Sequence, residues 1–263
     1  MGRPLEYDIL HDMRWIAVLF TLSCISAAAA EEAHLIAFTE GRYAEAASVV
    51  ETSHAPDALA FAARSLLAEA ISDEAFNVSP VLIEQAEQLS REALIEAPDH
   101  IEARLQLAIA LSLKARPMTT RDARRAGYGD DAKRLADSVL EDDPTNTYAH
   151  GFLSVWHIEV RRRGGAIGAS IMGASIRTAR EHYQAAIRLS PDDASVHWQY
   201  ARALASLNAK KYRREIESAL AQALDCGAET RLEQVMQTRA RVLQSAIRTE
   251  KRAVVEELAA QML

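Results

Sequence analysis

Residues 86–99 read AEQLSREALIEAPD, residues 132–145 read AKRLADSVLEDDPT, and residues 179–192 read AREHYQAAIRLSPD. Each segment closes on a proline, and mostly small residues recur at fixed depths before it. Counting back five, eight and twelve positions gives Ala93, Ser90 and Ala86 from Pro98, Val139, Ala136 and Ala132 from Pro144, and Ala186, Tyr183 and Ala179 from Pro191. Steps of three and four place these residues on one face of a helix, where small side chains let a second helix approach closely. Proline then stops the helix, because it lacks the N–H and clashes with the preceding turn. The segments are internal repeats, with 46 residues from Pro98 to Pro144 and 47 from Pro144 to Pro191.

Working outward, the whole chain has the same bias. About 50 of its 263 residues are alanine, against 10 glycines and 7 prolines, and alanine is the best helix former of all. Aromatic residues make up only 6%, so strands lack their usual material. An all-α chain is predicted. Its 49% hydrophobic and 25% charged content suits a packed body. A net charge of −7 argues against a general nucleic-acid binder, which needs a basic surplus or stripe. Two cysteines exclude a disulfide framework.

The repeated segment resembles the second helix of a tetratricopeptide repeat (TPR), A-x3-F-x2-A-x4-P within about 34 residues. The first-helix pattern of that family is echoed after each proline, by Arg104, Leu107, Ala108 and Leu111, by His150, Leu153, Ser154 and His157, and by His197, Tyr200, Ala201 and Leu204. A fourth unit continues through Ile216, Leu220 and Ala223, with Ala228 in place of the proline. Gly41-Arg42-Tyr43, then Ala46 and Val50, resembles the inter-helix turn and second helix of a shortened first unit. The resemblance spans most of residues 31–228 and implies a right-handed superhelical stack of antiparallel helix pairs, a TPR-like α-solenoid.

The period departs from the family, with about a dozen extra residues per unit. They fall between the paired helices, at 116–129 and 161–173. Such insertions either lengthen helices, by about 18 Å, or protrude as loops. Gly127 and Gly129 favour a loop with Asp130 as a helix N-cap, whereas Gly164, Gly165, Gly168 and Gly173 favour a broken helix. HEAT and armadillo repeats have the longer period and are the second reading. Ser79-Pro80 predicts a helix start, with the helix running to about Ala97. From about residue 229 the chain has no proline or glycine, and Leu232, Val235, Met236, Arg239, Val242 and Leu243 keep a helical period. One or two helices capping the open end of a single domain, 31–263, are expected.

Trp15 to Ala30 form an apolar run of about 16 residues, short of the roughly 20 that span a bilayer. With Arg14 before it and Ala28 and Ala30 at its end, the stretch 1–30 resembles a bacterial signal peptide cleaved after Ala30. A periplasmic or secreted chain follows from that. Glu6, Asp8 and Asp12 suit such a leader poorly, and Met13 makes a better start. The alternatives are lipidation at Cys24, for which Thr21 stands where leucine is wanted, and a retained inner-membrane anchor. Membrane contact is expected only in those two cases.

Residues 164–175 read GGAIGASIMGAS, without the lysine and preceding strand that a phosphate loop or dinucleotide fingerprint requires. Its Ile167, Ile171 and Met172 either pack back or form an exposed docking patch. Arg161 to Arg163 and the trio Arg121, Arg124 and Arg125 sit in the two insertions, as solvated charge or as a local anion site. His150 and His157 lie seven apart, with His182 and His197 further on. That spacing lacks the close pair of a zinc helix, so packing is expected, with no metal and no cofactor. Cys226 before Gly227 is read as structural. No triad, nucleophile elbow or carboxylate pair occurs, so no catalytic residue is assigned.

In the TPR family, first helices line a concave groove suited to a peptide or a partner helix. The resemblance therefore implies groove residues at Glu102, Leu105, Ile109, Tyr148, Val155, Glu159, Trp198 and Arg202. One family mode, the clamp on an acidic C-terminal tail, needs lysine and asparagine where this chain has Leu105, Ile109, Phe152, Ser195 and Gln199, and is excluded. The expectation is a non-catalytic scaffold binding a protein or peptide in the bacterial periplasm. A membrane-tethered assembly factor, or an enzyme or metal-binding protein using the histidines or the glycine-rich insertion, are the alternatives.

Overall fold

Pro56 and Pro80 each open a helix from its first turn, and Pro98, Pro144 and Pro191 each lie two residues beyond the end of one. The residue before each of the last three takes nearly the same conformation: Ala97 at φ −137° and ψ 85°, Asp143 at −131° and 85°, Ser190 at −138° and 81°. A proline disfavours the helical region for its predecessor, so one local rule ends three helices alike.

The computed structural model describes residues 32–262, which are helical with no strand among them. The signal peptide, the Met13 start and Cys24 lie outside the described residues. In order come α1 (32–39), α2 (Tyr43–Ala47) with a 3-10 turn Ser48–Glu51, α3 (Pro56–Ile71), α4 (Pro80–Glu96), α5 (Ile101–Ala115) and α6 (Thr120–Ala126). Then follow α7 (Tyr128–Asp142), α8 (Thr147–Ile171), α9 (Ile176–Leu189), α10 (Ala194–Asn208), α11 (Arg213–Asp225), α12 (Arg231–Thr249) and α13 (Arg252–Gln261). Side-chain caps secure many starts. Ser79 accepts from Leu82 N–H, Asn146 from Ala149 N–H and Ser175 from Thr178 N–H. Thr230 and Glu233 form a reciprocal capping box on α12.

Pairs α3/α4, α5/α7, α8/α9 and α10/α11 pack together, and α4, α7 and α11 also meet the helix that follows. The contact stripe is the one read from the repeats. Ala86, Ser90 and Ala93, Ala132, Ala136 and Val139, and Ala179, Tyr183 and Ala186 are all buried. Six residues after each proline, a side chain bonds back to its turn: Arg104 donates to the Asp99 carbonyl at 2.7 Å, His150 to that of Pro144 at 3.1 Å, and His197 to that of Pro191 at 3.0 Å. Helix ends are thereby tied to the next helix, which satisfies otherwise orphaned carbonyls.

The two insertions differ. Residues 116–127 form a loop containing α6, ended by Gly127 at φ +75°. That glycine also starts α7, so Asp130 lies inside the first turn and is not the N-cap. The second insertion prolongs α8 to Ile171, with a break at Gly165 (φ +62°, ψ −158°).

The last two helices do more than continue the order. α12 packs on α10 and α11, and with 19 residues it is roughly 28 Å long. Arg239 on it donates to the Asp73 carbonyl at 2.7 Å and lies over the Phe76 ring, while Arg231 pairs with Glu74. A Cβ added to Gly41, whose φ is +82°, would sit 2.5 Å from Arg231 Cγ. The turn between α1 and α2 therefore meets the start of α12. α13 turns back at Glu250 and Lys251 and lies on α10. Its Val255 and Ala259, with Met262 just beyond, share one core with Ile158, Trp198 and Met236.

Candidate functional site

Val255, Ala259 and Met262 repeat at helical spacing, and they seal α13 onto the face of α10 that carries Trp198 and Arg202. Arg202 is 1% exposed. Its guanidinium donates to Gln199 at 3.0 Å, to Glu159 at 3.2 Å and to the Ala259 carbonyl at 3.4 Å. Arg162 holds the other Glu159 oxygen at 2.8 Å. From the end of α5, Arg116 donates to the Ala260 carbonyl at 2.5 Å, and Arg163 donates to the carbonyls of Ala115 and Met118. Midway along α13, Glu256 accepts from the Ala209 N–H at 3.0 Å.

The electrostatics follow from that geometry. Burial opposes ionisation of Glu159, but the charges of Arg202, Arg162 and Arg116 outweigh it and hold the carboxyl down at about 2. Burial, and then the charge of Arg202, push Arg116 down to about 9, where it is still a cation at neutral pH. Four guanidiniums thus surround one carboxylate. The last carbonyls of α13 supply the missing negative character, being the negative pole of the helix macrodipole.

The predicted groove residues divide into two groups. Val155, Glu159, Trp198 and Arg202 come together beneath or beside α13, with Trp198 fully buried and Val155 partly so. Leu105 is 2% exposed, packed with Val139 and Ala149, and Ile109 is partly buried. The expectation that Leu105, Trp198 and Arg202 line an open groove is corrected: helices of the same chain already cover them. Glu102 remains half-buried, bonded to Gln106 at 3.0 Å and 3.6 Å from Arg64. Tyr148 is 58% exposed and has Asp193, Glu233 and Arg64 around it. One part of the face is occupied and one part open.

Sequence reasoning missed Arg116, Glu256 and the sealing residues of α13. The spacing of Val255, Ala259 and Met262 marks an apolar stripe, but no local signal tells which surface receives it. Of the first arginine cluster, Arg163 reaches toward the second, because its carbonyl acceptors on Ala115 and Met118 lie just before α6.

The histidines pack against one another and against the turns. His150 Nδ1 lies 2.9 Å from His182 Nδ1. Because His150 Nε2 donates to Pro144, its neutral ring accepts at Nδ1 and His182 donates. His157 stacks on His182 at 5.8 Å, and Tyr183 O–H meets His197 Nδ1 at 2.7 Å. Among the described residues no group of three or more His, Cys, Asp or Glu could hold a metal ion, and no helix is long and apolar enough to cross a membrane.

The chain matches no protein-family model, and no curated protein matches it.

Proposed function

We propose that this chain is a non-catalytic, TPR-like binding scaffold: a right-handed superhelical stack whose inner face receives an amphipathic helix. Its own α13 holds that place, and a helix from a protein or peptide partner exchanges with it. The resemblance of residues 1–30 to an export signal supports a periplasmic setting for this activity. The carrying observation is the donation of Arg116 and Arg202 to the final carbonyls of α13, a recognition of a helix C-terminus that any helix of matching stripe reproduces. The alike ends of α4, α7 and α9, and the bond from position six after each proline, support the repeat reading.

The test is binding of a fluorescent peptide of residues 250–262 to the full chain and to a Val255→Asp, Met262→Asp variant, whose own α13 is unseated. The variant binds the peptide more tightly than the wild type, and adding Arg202→Ala removes the gain. A variant that keeps its helical melting transition but does not bind the peptide overturns the reading.

A further inference from the structure

Charge separates along the helix pairs. At one end, Arg104 reaches Asp142, Thr147 meets Ser190 and Cys226 approaches Pro191, so the turns after α4, α7, α9 and α11 lie together. These turns carry Asp99, Asp142, Asp143, Asp192 and Asp193. At the other end, Arg163 ties α8 to the loop before α6, a Cβ on Gly129 would lie 3.1 Å from Met172, and Arg180 of α9 bonds Glu215 beside the turn into α11. Here the exposed residues include Arg121, Arg124 and Arg125 on α6 and Lys210, Lys211 and Arg213 in the last turn. Cations therefore gather at two places on this end, α6 and the turn into α11, between the exposed carboxylates of Asp73, Glu74 and Asp130.

Two features of that end stand out. The turn into α11 and its first residues carry Lys210, Lys211, Arg213 and Arg214, four cations against one first-turn carboxylate, Glu215, at the positive pole of the helix and with no side-chain cap, an excess that opposes the usual placement of charge. Local rules are broken in this way where another requirement prevails. A shallow depression runs between those residues, Tyr212, and Arg180 with its ion-pair partner Glu215.

The second feature is the tip of α8. Gly165 and Gly173 bracket it with positive φ, and a Cβ on Gly165, Gly168 or Gly173 would meet nothing within 4 Å. Ala169 and Met172 anchor it on Trp156, while Ile167 and Ile171, four residues apart, stand 78% and 58% exposed. An exposed apolar pair on a small-residue tip, at the same end of the helix pairs as the cations of α6 and of the turn into α11, matches the dual requirement of a bilayer interface: apolar insertion with attraction to anionic headgroups.

We infer that this end docks on an anionic phospholipid surface, with Ile167 and Ile171 entering the interface and the Lys210–Arg214 turn facing the headgroup phosphates. A nucleic acid offers phosphates but no apolar phase for the isoleucines, and lipid offers both. The inference does not rest on exchange at α13, and it needs no membrane-spanning segment.

The test is co-sedimentation of the full chain with phosphatidylcholine vesicles, with or without phosphatidylglycerol. Binding is expected only to the mixed vesicles and weakens as salt screens the charges. Lys210→Glu with Lys211→Glu, and separately Ile167→Asp with Ile171→Asp, each lower it by about tenfold. Ile95→Asp, an exposed isoleucine on α4, leaves it unchanged. All of these positions are exposed, and thermal melting of each variant verifies folding. Absence of binding to mixed vesicles overturns the inference, as does equal binding to both vesicle types. So does competition by duplex DNA together with indifference to the isoleucine pair, which marks a plain polyanion surface.

Discussion

Arg116 at the end of α5 donates to the carbonyl of Ala260 in the last turn of α13, 144 positions further along the chain. With the parallel contact from Arg202 to Ala259, it holds the last turn of the C-terminal helix against α5 and α10. The pairing also explains how several arginines gather around the single carboxylate of Glu159. Truncating Arg202 removes a nearly buried partner from that carboxylate. Arg202→Ala is expected to destabilise the fold by about 3 kcal/mol, measured as a lower urea midpoint with a similar slope. Glu159→Gln is expected to be destabilising too, because it leaves the arginines without their shared anion.

Legibility followed the range of the interaction. Pro56, Pro80, Pro98, Pro117, Pro144 and Pro191 all mark helix junctions, and the small residues counted back from three of them are the buried stripe. These are local rules, readable one helix at a time. The insertions were legible in part: their glycines separate a loop ended by Gly127 from a helix broken at Gly165, whereas the short α6 inside the first and the place of Asp130 within α7 were not foreseen. The seat of α13 was least legible. Val255, Ala259 and Met262 show an apolar stripe, but their partners lie on α8, α10 and α12, and nothing near them in sequence selects that surface.

Acid should weaken the fold through the histidine cluster. Burial, then the neighbouring His182 and Lys133, depress His157 to about 4, with Asp137 opposing. Burial and His150 depress His182 as well. An unfolded histidine titrates near 6.5, so between that pH and about 4 the unfolded chain binds more protons, and stability falls as pH falls. His157→Leu is expected to flatten this slope, removing about 2 kcal/mol of the loss, as checked by urea unfolding at a series of pH values.

Glycine substitutions should separate positions of constraint from open ones. Gly41→Ala places a Cβ against Arg231 at positive φ and is expected to cost more than about 1 kcal/mol. Gly168→Ala meets nothing within 4 Å and is expected to be neutral or to stabilise by up to about 1 kcal/mol. Thermal melting of the two variants gives opposite or clearly unequal shifts.

The capping box gives a further local check. Thr230→Ala removes the acceptor for the Glu233 N–H and is expected to cost about 1 kcal/mol, while Glu233→Gln retains most of the stability, because glutamine also closes the box. Chemical denaturation of both variants decides the point.

The central claim is that α13 is a replaceable occupant of the inner face. A helix of 10 residues is marginal alone, so its amides should open independently of the helices beneath. Native-state hydrogen exchange of the full chain tests this most directly. The account predicts that the amides of 252–261 exchange with a lower opening free energy than those of 194–208, and that Met262→Asp lowers the first set while sparing the second. Exchange of 252–261 only with global unfolding, at the same free energy as 194–208, would contradict it.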